Sequence, residues 1–247
     1  MAETLGIGGA PVTSASGAVP GGVSYVVPAL EEARVIVRTL EALRTLCGAD
    51  DEIIVVDGGS GDATARLAAL WAERVLFAPR GRALQMNAGA ACARGRYLVF
   101  VHADTHLGPD FVRALADAAA RGTSWAYASI ALDARGATFS AIAHGIDLRA
   151  RVTGIVTGDQ VLVVRRDVFV ALGGFPAVPL MEDVLFSRRA RRLGSPVRLR
   201  ARALTSARRW RAGGVLRTVF SFWVFRLAHA FGVPPERLAR HYRPVRT

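Results

Sequence analysis

The chain has 247 residues, of which 51% are apolar, and this composition excludes a wholly disordered protein. Its 32 basic residues outnumber 20 acidic residues, which gives a net charge of +12. All of the basic residues are arginine, so mechanisms that need a lysine, such as a P-loop or a Schiff base, are excluded. The two cysteines, Cys47 and Cys92, show no metal-ligand spacing, which favours a reducing, cytoplasmic location.

The predicted elements start at residue 23, because residues 1–22 are mostly small and polar and predict a disordered leader. In the first half, short apolar runs predict strands at residues 23–27, 53–56, 75–77 and 97–101. Apolar residues at helical spacing predict helices at residues 31–46, 62–71, 83–93 and 111–120. We expect Pro28 to end the first strand. The alternation is typical of an α/β fold with a mostly parallel, twisted sheet flanked by helices.

The second half of the chain is less regular. Its predicted strands are residues 126–131, 160–164 and 197–199, and its predicted helices are residues 138–151, 167–172, 182–193, 215–231 and 235–240. The sequence shows no internal repeat and no linker. The simplest organisation is therefore one α/β domain over residues 23–212, followed by a helical C-terminal appendage over residues 213–247.

The carboxyl ends of the predicted strands carry polar and acidic residues. They are Pro28 with Glu31, then Asp57, then residues 80–82, and then residues 102–104. In doubly wound sheets, ligands bind at the carboxyl ends of the strands. We therefore expect a ligand site to be built from these residues.

His102 and Asp104 follow the fourth predicted strand directly. Side chains two residues apart in an extended chain point the same way. A carboxylate at this place can hold a hard divalent cation, which would neutralise a diphosphate. The other interpretation, that Asp104 caps the next helix, is weaker because that helix starts only near Pro109.

Arg80 and Arg82 lie between the third strand and a helix that carries Gln85 and Asn87. Arginines at a strand end beside a helix N-terminus favour a phosphate or nucleotide site, although a solvated basic loop would give the same pattern. The Gly-rich turn after Asp57 is not a dinucleotide fingerprint, because Thr64 stands at the third glycine position.

Glu182 and Asp183 are adjacent at the start of a predicted helix. They can cap that helix, or one of them can act as a general base that takes a proton from an acceptor hydroxyl. Further along, three arginines surround Trp210 in the segment 208–211. This cluster can bind a diphosphate leaving group, nucleic acid or an acidic lipid.

Taken together, four segments of the chain resemble the family 2 glycosyltransferases. The segments, in chain order, are residues 26–32, 54–64, 102–104 and 182–183, and the resemblance extends from about residue 23 to Trp210. The stretch Gly-Arg-Ala-Leu-Gln-Met-Asn-Ala-Gly at residues 81–89 is similar to a small bacterial subgroup of this family.

The resemblance implies a GT-A fold, a nucleotide-diphosphate sugar donor and a divalent cation, Mg²⁺ or Mn²⁺. It implies that Asp183 is the base of an inverting displacement, with Glu182 beside it, and that Asp104 is the last carboxylate of a metal-binding Asp-x-Asp motif. His102 replaces the first Asp of that motif and is the second candidate ligand, which leaves the metal's identity open. The candidate donor-binding residues are Pro28, Glu31, Asp57, Gly59, Arg80, Arg82, Gln85, Asn87, Ala103, Arg209 and Trp210.

Two alternative functions compete with glycosyl transfer. A sugar-phosphate nucleotidyltransferase would share the sheet and the metal carboxylate, but such enzymes usually use a catalytic lysine, which this chain lacks. A non-enzymatic nucleic-acid binder would explain the charge of +12, but it needs a clustered basic face. Acidic residues occupy strand ends throughout the first half, so we expect no nucleic-acid partner.

The predicted helix over residues 215–231 is too apolar for a helix surrounded by water. Three arrangements would cover its apolar side chains: contact with an anionic membrane surface, contact with a second copy in a homodimer, or packing on its own sheet. Its charged residues argue against a transmembrane helix. We therefore expect a cytoplasmic protein. If the helix contacts an anionic membrane surface, the protein is peripheral on the inner face of the cell membrane. The sequence does not identify the acceptor.

Overall fold

The computed structural model describes residues 18–241, and its regular elements alternate between strands and helices as the first half of the sequence predicts. The strands are β1 (Val23–Ala29), β2 (Glu52–Asp57), β3 (Arg74–Phe77), β4 (Tyr97–Phe100), β5 (Thr105–Leu107), β6 (Trp125–Leu132), β7 (Leu162–Arg165) and β8 (Val197–Thr205). The α-helices are α1 (Ile36–Arg44), α2 (Thr64–Ala68), α3 (Arg82–Cys92), α4 (Pro109–Ala120), α5 (Ala137–Thr153), α6 (Arg166–Ala171), α7 (Glu182–Ala190), α8 (Arg208–Gly213), α9 (Val215–Ala230) and α10 (Pro235–Ala239).

The strands form one sheet in the order β3-β2-β1-β4-β7-β6-β8-β5. The first four of these strands are parallel, and so are β6 and β8. The β4–β7, β7–β6 and β8–β5 pairs are antiparallel. The α/β fold is confirmed, and the sheet is mixed. Its parallel half is built by the first half of the chain, in which predicted strands alternate regularly with predicted helices.

The core lies on both faces of the sheet, because the central strands are buried on both sides. Along β1 and β2 successive residues belong to different apolar clusters: Tyr25 and Val27 face the cluster that includes α1 and α4, and Val26 faces the cluster that includes α3 and α7. Continuous apolar runs such as Ile53–Val56 are typical of strands that are covered on both faces. The parallel half therefore forms a rigid platform under the carboxyl ends of β1, β2 and β4.

Pro28 does not end β1, contrary to the expectation from the sequence, because the strand continues to Ala29. Val26, two residues earlier, accepts a hydrogen bond from the Val101 amide on the β4 side at 3.0 Å. Pro28 faces the same side, but β4 ends at Phe100, so the missing amide hydrogen of Pro28 falls beyond the paired part of β4. The proline thus lies on the side of β1 that opens at the end of β4.

Several boundaries differ from those predicted. The first helix begins at Ile36 rather than residue 31, because Glu31 has a positive φ of 57° and lies in a turn. The strand β8 is nine residues long rather than three. Neither β5 nor α8 was predicted, and the short 3₁₀ turn Gly158–Gln160 replaces the start of a predicted strand.

The two ends of the chain are described only in part. Residues 1–17 of the predicted leader and residues 242–247 of the predicted appendage lie outside the described residues. Residues 18–22 form a turn against the domain, in which Val19 is buried and the carbonyl of Gly21 accepts a hydrogen bond from the Arg96 amide at 2.8 Å. Among the helices between residues 18 and 241, none combines the length and the apolarity needed to cross a bilayer.

Candidate active site

A cleft of about 310 Å³ opens at the carboxyl ends of β1 and β4. The loop before α3, the start of α7 and the segment between β8 and α8 complete its walls. The candidate residues that line the cleft are Pro28, Arg80, Arg82, Gln85, His102, Ala103, Asp104, Glu182 and Trp210. The topology thus brings residues from distant parts of the sequence to the edge at which ligands bind in parallel sheets.

Arg208 forms a bridge across the cleft between two strand ends. Its guanidinium lies 3.0 Å from Asp104 Oδ2 and 3.5 Å from Glu32 Oε2. All three side chains are mostly buried, with exposed fractions of 24%, 22% and 18% respectively. Arg208 therefore supplies positive charge beside Asp104 Oδ2 in the free protein, and another cation at Asp104 must use the other oxygen or displace Arg208.

His102 is directed toward the 3₁₀ turn that precedes β7. Its Nδ1 lies 3.3 Å from Asp159 Oδ1, and its Nε2 is buried with no hydrogen-bond partner. The ring lies directly against Gly158, where a Cβ atom would come within 2.6 Å of Nε2. The turn at Gly158 therefore needs glycine to leave room for the imidazole.

Glu182 and Arg82 face each other across the cleft, with 3.7 Å between Arg82 Nη1 and Glu182 Oε1. Only 4% of Glu182 is exposed, whereas the Arg82 side chain is 43% exposed. Burial raises the pKa of Glu182, and the neighbouring charge of Asp183 raises it further, while Arg82 opposes both effects. A buried carboxyl of this kind holds a proton more readily than an exposed one.

Asp183 is positioned by the backbone rather than by another side chain. Its Oδ2 accepts a hydrogen bond from the Gly158 amide at 2.9 Å, and its Oδ1 accepts one from the Val184 amide at 2.7 Å. The second bond helps to satisfy a free amide at the start of α7. Asp183 does not line the cleft in this structure, but its contact with Gly158 places it beside the turn that holds His102.

Gln85 and Asn87 fix loops around the cleft through backbone groups. Gln85 Nε2 donates to the carbonyls of Ala29 and Val56, both at 2.8 Å, and so joins the ends of β1 and β2. Asn87 donates to the Phe175 carbonyl at 2.8 Å and accepts from the Phe175 amide at 2.9 Å. Gln85 also lines the cleft, whereas Asn87 does not.

Asp57, Gly59 and Glu31 build the turns behind the cleft and do not line it. The buried Asp57 carboxylate accepts hydrogen bonds from the Ser60 hydroxyl, the Ser60 amide and the Gly59 amide. Glu31 accepts from the Gly61 amide at 2.8 Å. These three residues hold the loops after β1 and β2 together, and their nearness to a bound nucleotide stays a prediction.

Glycosyl transferase family 2 is the family whose model matches residues 24–160, which is more than half of the chain. The chain belongs to this family. It is therefore a glycosyltransferase, and the resemblance drawn from its motifs is confirmed.

One curated relative of this glycosyltransferase is the succinoglycan biosynthesis protein ExoO of Rhizobium meliloti (strain 1021). It is 37% identical over 102 residues, which are 39% of this chain and 29% of the relative. The chain thus matches less than a third of the relative's length.

Two solved structures share the fold at low identity. S. aureus TarS 1–349 in complex with UDP-GlcNAc has a TM-score of 0.60 and 17% identity, covering 74% of this chain and 58% of that chain. Mannosyltransferase PcManGT from Pyrobaculum calidifontis, in complex with GDP-Man and Mn²⁺, has a TM-score of 0.57 and 20% identity, covering 88% and 68%. These similarities confirm the GT-A fold that the motifs implied.

The residues present fit a divalent cation only in part. Within residues 18–241, no group of three or more His, Cys, Asp or Glu side chains is arranged to hold a metal ion. Asp104 has the hard oxygen donor that Mg²⁺ and Mn²⁺ prefer, and Mg²⁺ is often bound by one or two carboxylates together with substrate phosphates. The imidazole of His102 suits these ions less well.

Arg208, Glu32 and Asp159 line the cleft, but the sequence did not assign them individual roles. Thr205 and Ser206 also line it, because β8 extends as far as Thr205. The alternation of Arg with Leu or Ala over residues 197–205 was a signal for this long strand. Arg209 lies in α8, and its side chain lies outside the described part of the structure.

Proposed function

We propose that this glycosyltransferase moves the sugar of a nucleotide-diphosphate sugar to an acceptor hydroxyl, with inversion at the anomeric carbon and with a bound divalent cation. The observation that carries this proposal is the meeting, in one cleft, of three arginines from two segments with Asp104 and Glu182. The cleft combines groups that bind phosphate with carboxylates that can bind a cation or a proton.

The donor diphosphate binds against Arg80, Arg82 and Arg208, which line the cleft from two sides. Guanidinium groups form paired hydrogen bonds with phosphate oxygens, and in a partly buried cleft these bonds are stronger than in water. The relatives named above carry UDP-GlcNAc or GDP-Man, so both uridine and guanosine diphosphate sugars are donors to test.

Asp104 is the protein ligand that we assign to Mg²⁺ or Mn²⁺, with His102 as a weaker second candidate. A cation at this place would neutralise charge that develops on the diphosphate leaving group. Arg208 lies 3.0 Å from Asp104 Oδ2, so a cation either binds through the other carboxylate oxygen or displaces Arg208. Arg208 lines the cleft, so its guanidinium can also bind the diphosphate of the donor.

Asp183 is the base that we assign to the acceptor hydroxyl. Both of its oxygens accept backbone hydrogen bonds, which fixes the carboxylate and leaves a second lone pair on each oxygen for the incoming proton. Glu182 is nearly completely buried and faces Arg82, so we assign it the role of keeping that arginine in place beside the donor.

Binding of nucleotide sugars, measured by calorimetry with Mn²⁺ and again with a chelator, tests the proposal. We expect one class of nucleotide-diphosphate sugar to bind in Mn²⁺ and to bind much more weakly in chelator. The Asp104→Ala variant should lose this dependence on the cation, since it lacks the carboxylate ligand. Equal affinity of the variant and the natural chain under both conditions would contradict the assignment of Asp104.

A further inference from the structure

Helix α9 exposes a row of large apolar side chains. Phe220, Trp223, Val224, Leu227 and Phe231 are all exposed, and their spacing of three and four residues places them on one side of the helix. We call this row the α9 stripe. Phe220 is 70% exposed and Trp223 is 60% exposed, so the stripe is not covered by another described part of the chain.

The opposite side of α9, which faces the protein, carries both polar and apolar side chains, whereas the α9 stripe is wholly apolar. It carries Thr218, which is buried, and Arg226 and His229, which are partly buried. His229 Nε2 is buried without a hydrogen-bond partner, and burial lowers the pKa of Arg226. Val219 packs against an apolar cluster that includes Trp210. A helix in water normally exposes its polar side, so a wholly apolar exposed row indicates that the stripe meets something other than water.

The surroundings of the stripe are strongly basic. Residues 206–241 contain seven arginines and one acidic residue, Glu236. Arg217 is exposed one turn before Phe220, and Arg237 and Arg240 are exposed in the segment that follows the helix. An apolar row bordered by exposed arginines is complementary to a surface that is anionic outside and apolar beneath.

A second copy of the chain is a poorer occupant of the stripe. A two-fold contact places the same patch of both copies together, so the arginines around one stripe would face those around the other. Like charges directly opposed at an interface oppose association. An anionic lipid surface instead neutralises these arginines, and Trp and Phe side chains are well suited to the region of the lipid headgroups.

We propose that the α9 stripe docks this protein onto an anionic lipid bilayer, with α9 lying in the plane of the headgroups. The helix has 16 residues, and no described helix is suited to crossing a bilayer, so the contact is parallel to the surface. This inference is independent of the identity of the donor and of the residues assigned to transfer.

Co-sedimentation with vesicles tests the proposal on the full chain. Vesicles of phosphatidylcholine with phosphatidylglycerol should retain the protein at low salt, and vesicles of phosphatidylcholine alone should retain much less. Added salt should weaken retention, because it screens the arginines. The Phe220→Ser variant should partition about tenfold less strongly, since it removes one large side chain from the contact.

Phe77→Ser is the matched control, because Phe77 is 72% exposed on β3 and lies outside the stripe. It should bind the vesicles as the natural chain does. A second readout is tryptophan fluorescence, which should shift to shorter wavelength on binding. Trp223→Phe should still bind but lose most of this shift, because Trp223 is the tryptophan of the stripe.

Three results would overturn the proposal. The first is equal sedimentation of the natural chain and Phe220→Ser, with both shown to be folded by circular dichroism. The second is a fluorescence shift that persists in Trp223→Phe. The third is a dimer in solution that Phe220→Ser abolishes, together with no retention on anionic vesicles, which would assign the stripe to a second copy.

Discussion

Glu182 and Asp183 are adjacent in the sequence, but their surroundings differ. Glu182 is buried and faces Arg82, whereas Asp183 is held by the amides of Gly158 and Val184. If Asp183 is the base, Asp183→Asn should lower turnover by about a hundredfold or more and leave donor affinity nearly unchanged. Glu182→Gln should mainly weaken donor binding. Steady-state kinetics and donor calorimetry on the two variants check the assignment, and the opposite pattern would make Glu182 the base.

The raised pKa of Glu182 predicts how stability changes with pH. The folded chain holds this proton more tightly than the unfolded chain, whose pKa is near 4.5, so ionising Glu182 opposes folding. This cost is absent below the unfolded pKa and grows as pH rises through the folded value. Glutamine cannot ionise, and the ion pair that it removes is long and involves a partly exposed arginine. Glu182→Gln should therefore be more stable than the natural chain at neutral pH.

Thermal unfolding of the natural chain and Glu182→Gln between about pH 4 and pH 8 measures this difference. The two melting temperatures should converge at the acidic end of the range. Glu41→Gln, at an exposed position of α1, is the control and should follow the natural chain throughout. A gain of the same size at every pH would show that its cause is packing rather than ionisation.

Motifs in the sequence predicted part of the site at the level of residues. Arg80, Arg82, Asp104 and Glu182 were found because each follows a strand or begins a helix, and the sheet brings these places together. The partner of Asp104 could not be found in this way, because Arg208 lies 104 positions further along the chain. Nothing local in the sequence distinguishes Arg208 from its arginine neighbours.

At the scale of the elements, the close contact between α3 and the sheet depends on Gly89. A Cβ atom at this position would lie 2.5 Å from Val26 Cγ1 and 3.0 Å from Val56 Cγ2. Gly89→Ala should therefore lower the free energy of unfolding by about 1–3 kcal/mol, because overpacking outweighs the better helix propensity of alanine. It should also weaken donor binding, since α3 carries Arg82 and Gln85.

Gly145 is the matched control, because it lies inside α5 and a Cβ atom there would have no neighbour within 4 Å. Gly145→Ala should raise the free energy of unfolding by about 0.5–1 kcal/mol through helix propensity alone. Urea unfolding of both variants gives the comparison. If both substitutions stabilise the protein, α3 can move away from the sheet at little cost.

Periodicity predicted the elements of the parallel half well and those that depend on distant pairing poorly. The first four strands and α3 were found within two residues of their ends, because buried runs and helical spacing are local signals. The strand β5 has only three residues and depends on pairing with β8, where the Thr105 and Thr205 hydroxyls lie 3.1 Å apart. That pairing joins residues 100 positions apart and has no signature in either segment alone.

At the scale of the whole molecule, positive charge that comes only from arginine changes little with pH. Guanidinium groups stay charged far above the range in which lysines begin to lose their protons. Burial lowers the pKa of Arg149 to about 10, so this residue begins to lose its charge there. The protein should therefore elute from a cation exchanger at nearly the same salt concentration from about pH 7 to pH 10.

A lysine-rich protein of similar net charge serves as the reference and should elute earlier as pH approaches 10. A matching decline for this chain would mean that thiols and tyrosines, rather than arginines, control the change of its net charge in that range. Because the arginines keep their charge, electrostatic attraction to an anionic surface persists over the range of pH in which the reaction can be assayed.

Arg208 connects two parts of the molecule that the sequence treats separately. It pairs with Asp104 and Glu32 in the cleft, and it begins α8, which leads directly into α9. We therefore expect a ligand that draws Arg208 away from Asp104 to change how the C-terminal helices are anchored. Such a coupling between two binding sites is reciprocal. If contact with a surface changes the affinity for the donor by some factor, the donor changes the affinity for that surface by the same factor.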